Sequence, residues 1–250
     1  MELSLDQFDA ALDIRDQGGR PYLLIGGQAV YFWATSYVAQ EPTLEQWRPF
    51  TSKDIDFHGG REDLVRFAQQ LGVTPRFPHR KQMTAWAGVV EISAAGVRTS
   101  VDFLRLMPGI RVRDAVRFAV ERDFLGRRLR VLDPISLLIC KANLALKVDQ
   151  KARRDAEHVR IMVLCVRAFL REGLRGVESG EISERGWLNA VKRVLKLVES
   201  TLGRKATRTL GVDWTQALPL LEIATSTQRA VIQLREKRLP QCQAKLARAP

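Results

Sequence analysis

The feature that most constrains this chain is a change of periodicity at Asp133-Pro134. Before it, short apolar or alternating segments are interleaved with helical ones. After it, every patterned segment repeats with the helical period. That order excludes a uniform helical bundle and an all-β sandwich. It predicts a mixed α/β (α+β) fold over residues 1–132, followed by a helical region over residues 133–250. An Asp cap with Pro at the first helical position is a clean start signal for the second part.

In the front, residues 4–17 read as an amphipathic helix with Ser4 as its cap, ended by Gly18-Gly19. Pro21–Ile25 is an apolar run that stops at Gly26-Gly27, the pattern of a buried strand and a tight turn. Gln28–Tyr37 follows as a buried helix, and residues 39–50 as a polar connection. Lys53–Phe57 alternates like a strand, and Arg61–Leu71 is a surface helix. After a loop at 75–81, Ala85–Ser93 and Arg98–Leu104 are two strands joined at Ala95-Gly96, and Arg128–Leu132 is a short strand. Helices at 134–147 and 152–171 come next, with two or three more between 186 and 240 and little signal in the last ten residues.

Charge separates the two parts. The chain carries 40 Lys and Arg against 28 Asp and Glu, a net +12. Residues 1–150 hold 20 basic and 18 acidic side chains, residues 151–250 hold 20 and 10. The basic end favours an anionic partner. No apolar run reaches the ~20 residues needed to cross a bilayer, so no membrane role is expected. The acidic, amphipathic N-terminus does not read as a signal peptide. Cys140, Cys165 and Cys242 are odd in number and widely spaced, which predicts reduced thiols in a cytoplasmic protein and no zinc site.

The chemistry-bearing residues are carboxylates in strands. Asp54 and Asp56 flank Ile55, so on a strand both project to one face. Two such carboxylates repel each other unless a cation sits between them, and their hard oxygens suit Mg²⁺. An edge strand with two solvated Asp residues would give the same short pattern. Asp102 is a third Asp inside an alternating segment, where Asp is disfavoured. If its strand pairs beside 53–57, three carboxylates come together, a set able to hold two metal ions about 4 Å apart. Gly26-Gly27 lets the backbone approach a ligand at the start of a helix, whose N-terminus attracts phosphate. Most Gly-Gly pairs are plain turns, and neither a Walker A motif nor a dinucleotide fingerprint occurs here.

The order LLIGGQAV, RPFTSKDIDF, SVDFL, LDPISLLICKANLAL and KARRDAEHV resembles the nucleotidyltransferase superfamily with the DNA polymerase β-like fold. It is most similar to the minimal bacterial branch around the AbiEii-type abortive-infection toxins. The resemblance covers about residues 20–165 and implies a small mixed sheet with flanking helices in the front. It implies that Gly26 and Gly27 contact a triphosphate and that Asp54, Asp56 and Asp102 bind Mg²⁺ or Mn²⁺, with Asp102 as third ligand or general base. Lys141 would neutralise phosphate charge, and Arg154-Asp155 would brace the site. Arg48, just before the carboxylate strand, could reach the triphosphate, although a loop Arg is usually solvated. Gln28 stands where many members have Ser or Thr, and its side-chain amide could still donate to phosphate. Lys141 could equally be a stem that snorkels to water. His58 and His79 read as surface residues, although the basic loop of His79 could touch substrate, and Trp86 reads as a packing anchor that could instead stack on a base.

The expected activity is therefore transfer of a nucleoside monophosphate from an NTP to an acceptor hydroxyl. The basic helices, with WLNAVKRVLKLVEST and GRKATR, favour RNA or DNA over a cationic antibiotic as acceptor, although a solvated surface has the same look; the resemblance implies RNA. The resemblance further implies the toxin half of a toxin–antitoxin or phage-defence pair, with an antitoxin as protein partner. A small-molecule or protein acceptor uses the same chemistry. A nucleotide-sugar glycosyltransferase shares the Asp-x-Asp motif but expects a longer nucleotide-binding half than the ~50 residues that precede it here. A nucleotide- or nucleic-acid-binding module without turnover is the non-enzymatic alternative.

Overall fold

The computed structural model describes residues 2–79, 81–151 and 153–242. Two compact units emerge: residues 1–36 with 45–140, and residues 37–44 with 141–250. Arg80 of the basic loop, Ala152 at the expected start of a helix and the last eight residues lie outside the described residues.

The first unit holds a six-stranded mixed sheet in the order β3-β4-β2-β1-β6-β5. Its strands are β1 (Leu23–Ile25), β2 (Asp54–His58), β3 (Trp86–Ala94), β4 (Val97–Leu104), β5 (Val120–Phe124) and β6 (Arg127–Val131). β1 runs antiparallel to β2 and parallel to β6, and β2 runs parallel to β4. The helices are α1 (Asp9–Leu12), α2 (Gly26–Tyr37), α3 (Arg61–Leu71), α4 (Val112–Phe118) and α5 (Pro134–Lys147). The helix expected over 4–17 is shorter: a 3₁₀ turn at Leu5–Phe8 leads into α1. It stops early because the Arg15 guanidinium caps the Leu12 carbonyl at 2.6 Å. Asp16 then folds the chain back by accepting the Gly18 and Arg20 amides.

The apolar face of the sheet is set by aromatic packing. Ile55, Phe57, Val101 and Phe103 are buried, and the rings of Tyr22, Phe57, Phe67 and Phe103 meet with centroids 5.2 to 6.1 Å apart. Edge-to-face and tilted pairs of this kind are favourable beyond the area they bury. Because strand side chains alternate, this cluster commits Asp54, Asp56 and Asp102 to the other face. On α2, Trp33 is fully buried and its indole donates to the Leu132 carbonyl at 2.9 Å.

Two elements have no counterpart in the sequence reading: α4, and β5 with its charged run Val120–Phe124. β5 is an edge strand whose residues are exposed or only half-buried, so it carries no apolar stripe to announce it. The β5–β6 hairpin closes through Leu125 and Gly126, both at positive φ, the geometry of a two-residue hairpin turn.

The second unit is helical: α6 (Asp155–Glu178), α7 (Glu184–Glu199), α8 (Thr201–Leu210), α9 (Leu220–Thr225) and α10 (Arg229–Gln233), with the last residues of α5. α6 supplies its core, with Val159, Ile161, Met162, Cys165 and Val166 buried. The segment 37–44, expected as part of a polar connection, is clamped onto α6. Buried Glu41 accepts from Arg167 Nε and from Arg171 Nη1, both at 2.9 Å, and the Tyr37 hydroxyl donates to Glu172 at 2.6 Å.

The cap at Asp133 is formed as expected: its Oδ1 accepts the Ile135 and Ser136 amides at 3.2 Å. Asp133→Ala leaves these donors without that acceptor. It should lower stability by about 1–2 kcal/mol, read as a shifted urea midpoint at unchanged far-UV circular dichroism.

Candidate functional site

The site is built on three neighbouring strands. β2 and β4 pair in parallel with Asp54 opposite Ser100 and Asp56 opposite Asp102. On the other side of β2, Ile25 stands opposite Asp56, so the turn at Gly26 opens beside that carboxylate. Register partners on adjacent strands share a face and lie about 4.8 Å apart. All three Asp residues are half-buried and alternate along their strands with the buried Ile55, Phe57, Val101 and Phe103.

Gly26 has φ +72°, the left-handed region. A Cβ built on it would stand 1.8 Å from Asp56 Oδ2 and 2.7 Å from its Cβ. The Asp56 carboxylate therefore rests against the bare backbone of the turn, and no other residue fits both the space and the angle. The first amides of α2 follow directly, and the opening N–H groups of a helix have no intrahelical acceptor.

Asp102 is held by two neutral donors. Its Oδ1 accepts the Trp86 indole N–H at 2.6 Å and its Oδ2 the Ser100 hydroxyl at 3.1 Å. Burial pushes its carboxyl above the usual carboxylate range, and the neighbouring charge of Asp54 adds to this, against the opposing effect of those two hydrogen bonds. Trp86 reaches the carboxylate because β3 carries an irregularity between Trp86 and Gly88. The extra residue restores Trp86 to the face of Leu104, its partner, and hence of Asp102. Bulges re-aim side chains in this way beside functional sites. The sequence reading missed this role; an indole 16 residues away on a neighbouring strand gives no spacing signal for it.

Among the described residues no three His, Cys, Asp or Glu side chains converge as a ready metal-ligand cluster. The three Asp residues share a face, but Asp102 is turned toward Trp86 and Ser100, and Asp54 accepts the Ser52 hydroxyl at 3.2 Å. In donor chemistry they fit a hard divalent cation: hard carboxylate oxygens, with Asp54 and Asp102 repelling each other.

The other expected contacts fall elsewhere. Gln28 is fully buried, and its amide donates to the Leu3 carbonyl at 2.9 Å instead of facing the turn. A helix side chain at that position points into the core and pins the N-terminal segment. Arg48 is bound to Glu45 through Nε at 2.5 Å and lies over the Phe50 ring. His58 Nδ1 lies 2.9 Å from the Leu104 carbonyl; a carbonyl only accepts, so that nitrogen carries the proton.

Lys141, Arg154 and Asp155 belong to the second unit. Lys141 Nζ donates to Asp155 Oδ1 at 3.0 Å, with both side chains buried. Arg153, rather than Arg154, supplies the second cation, through Nε to Oδ2 at 2.6 Å. Arg154, just before α6, bonds Glu157 in the first turn of that helix. Burial pushes the Asp155 carboxyl up, but Lys141 and Arg153 outweigh it and hold it below the usual range. The adjacent His158 is driven down to about 2 by burial and by the Lys141 charge, so it is neutral.

Among solved structures, the chain is similar to an antigenic nucleotidyltransferase-like protein from Paracoccidioides brasiliensis. The two are 12% identical, the match covers 84% of this chain and 95% of that chain, and the TM-score is 0.43. No family model matches the sequence, and no curated protein does. Among the described residues, no helix is long and apolar enough to cross a membrane.

Two variants separate the two carboxylate environments. A carboxyl raised by burial costs stability while ionised, so Asp102→Asn should raise the melting temperature at pH 7 by about 2 °C or more. That gain should vanish as the pH falls through the carboxylate range, where the wild-type side chain is itself neutral. Lys141→Ala should do the opposite. It takes one of two cations from a buried carboxylate and should cost about 3 kcal/mol in a denaturant titration at pH 7.

Proposed function

We propose that this chain is a metal-dependent nucleotidyltransferase that moves a nucleoside monophosphate from an NTP to an acceptor hydroxyl. The observation that carries this reading is the register Asp56–Asp102 beside a Gly-Gly turn at a helix N-terminus. Asp54, Asp56 and Asp102 would hold Mg²⁺ or Mn²⁺ once Asp102 turns away from Trp86. When bound, such an ion neutralises phosphate charge and favours attack at the α-phosphorus.

The chain's own residues do the rest. Gly26 and Gly27 let the triphosphate approach the first amides of α2, where the helix dipole favours negative charge. Asp102 takes the proton of the attacking hydroxyl. The hydroxyl oxygen bonds to the α-phosphorus as the bond to the bridging oxygen breaks, and pyrophosphate leaves. Positioning and charge neutralisation supply most of the acceleration.

For the acceptor we propose RNA. α7 and α8 expose Lys192, Lys196, Arg204, Lys205 and Arg208, a set suited to phosphate backbones. A cytoplasmic setting fits three free, buried cysteines. A toxin role and an antitoxin partner rest on the sequence resemblance alone.

The test is incubation with each α-labelled NTP, Mg²⁺ and total RNA, comparing wild type with Asp54→Asn and Asp56→Asn. The expected result is label on RNA, reduced about a hundredfold or more in each variant, with melting temperatures showing both folded. Label on a small-molecule or protein fraction would reassign the acceptor. Transfer that survives both substitutions would refute the metal assignment, and no transfer with any NTP would refute the activity.

A further inference from the structure

β3 is an outermost strand of the sheet, and its backbone is only partly used. In the β3–β4 hairpin the tight turn at Ala95-Gly96 makes Ala94–Val97 the closing pair. Counting back by twos, Ile92 and Val90 exchange hydrogen bonds with β4, while Val89, Glu91 and Ser93 direct their N–H and C=O groups outward. Val89 confirms the parity, since it exchanges both bonds with Arg76, at 2.8 and 2.9 Å. That bridge is isolated. Beyond it the chain diverges, and among the described residues the outward groups of Glu91 and Ser93 have no backbone partner.

The divergence leaves a cleft of about 760 Å³, with Val73, Thr74 and Arg76 on one side and Glu91, Ser93 and Arg98 on the other. Its charged groups are two arginines and one glutamate. Glu91 accepts from both Arg76 and Arg98, yet their side chains remain 66% and 82% exposed. One carboxylate thus serves two cations, and the cleft keeps a positive excess. Most exposed edges are blunted by a charge or covered; this one has room for a strand beside it.

We propose that the outer edge of β3 at Glu91 and Ser93 is a docking site for an acidic, extended peptide segment of a partner protein, which joins the sheet as a seventh strand. Main-chain bonds to the two free residues give the affinity, and acidic side chains meeting Arg76 and Arg98 give the selectivity. Charge decides the occupant: a second copy of this chain, itself at +12, would be repelled.

The probe is a fluorescein-labelled heptapeptide alternating valine and glutamate, titrated into the full chain by anisotropy, with a valine–lysine peptide as control. The acidic peptide should bind and the basic one should not. Ser93→Pro removes an outward N–H that the β3–β4 ladder does not use, so the strand is retained. It should weaken binding about tenfold or more at unchanged melting temperature. Arg76→Glu with Arg98→Glu should do the same. Hydrogen exchange supplies a direct readout: the Glu91 and Ser93 amides should exchange quickly in the free protein and slow when peptide is bound. Binding that ignores Ser93→Pro would reduce the effect to net charge and overturn the proposal. So would concentration-dependent self-association abolished by Ser93→Pro, which would make the occupant a second copy. The titration reads peptide binding alone, so neither outcome bears on nucleotidyl transfer.

Discussion

The site depends on one steric fact: the Asp56 carboxylate occupies the space that a side chain on Gly26 would need. This contact fixes the end of β1, the φ of the turn and the start of α2 against the central strand of the site. β2 is held on both sides, antiparallel to β1 and parallel to β4. A one-residue slip in either ladder would send every side chain on β2 to the opposite face. The aromatic cluster of Tyr22, Phe57, Phe67 and Phe103 blocks that slip. Exchanging Phe57 and Phe103 for Asp56 and Asp102 would bury carboxylates among rings. The apolar face therefore specifies the polar one.

The chain treats its half-buried and buried carboxylates in two ways. Glu41 and Asp155 each receive two cations, Arg167 with Arg171 and Lys141 with Arg153. Such pairs break even at best against desolvation, but they orient the elements that carry them. Asp102 receives only neutral donors, an indole and a hydroxyl. Its charge is held in place without being cancelled, at a cost to stability. A group kept in that condition beside a second carboxylate is the pattern expected where a ligand supplies the missing charge. The same contrast weakens Lys141 as a phosphate contact, because its ammonium is already committed to Asp155.

Strong periodicity made most of the fold legible. Arg61–Leu71 and Pro134–Lys147 begin and end where the pattern put them, since amphipathic spacing and caps are local properties. β5 escaped because an exposed edge strand needs no apolar stripe, and the N-terminal helix was overlong because Arg15 and Asp16 spend their hydrogen bonds on a turn. At the site, alternation gave the common face of Asp54 and Asp56, but the parallel register that sets Asp102 beside them is a tertiary fact. Gln28 shows the limit most clearly. Its residue type allowed a phosphate contact, whereas the direction of a helix side chain, into the core toward Leu3, is decided by packing.

β3 shows how one irregular strand can serve two edges. Without the extra residue between Trp86 and Gly88, strand alternation would aim the indole away from Asp102. Gly88 makes the irregularity tolerable: a Cβ there would stand 2.5 Å from both the Arg76 carbonyl oxygen and Leu64 Cδ2, at a φ of +152°. The close approach it permits is the one that lets Arg76 bridge to Val89. A larger residue would push out the flanking chain and disturb the bulge that directs Trp86. The inner edge of β3 thus holds the carboxylate strand, its bulge supplies the carboxylate's donor, and its outer edge is covered only as far as that glycine reaches. Past Val89 nothing comparable among the described residues draws the chain in, and the cleft beside Glu91 and Ser93 opens there because the backbone contact ends.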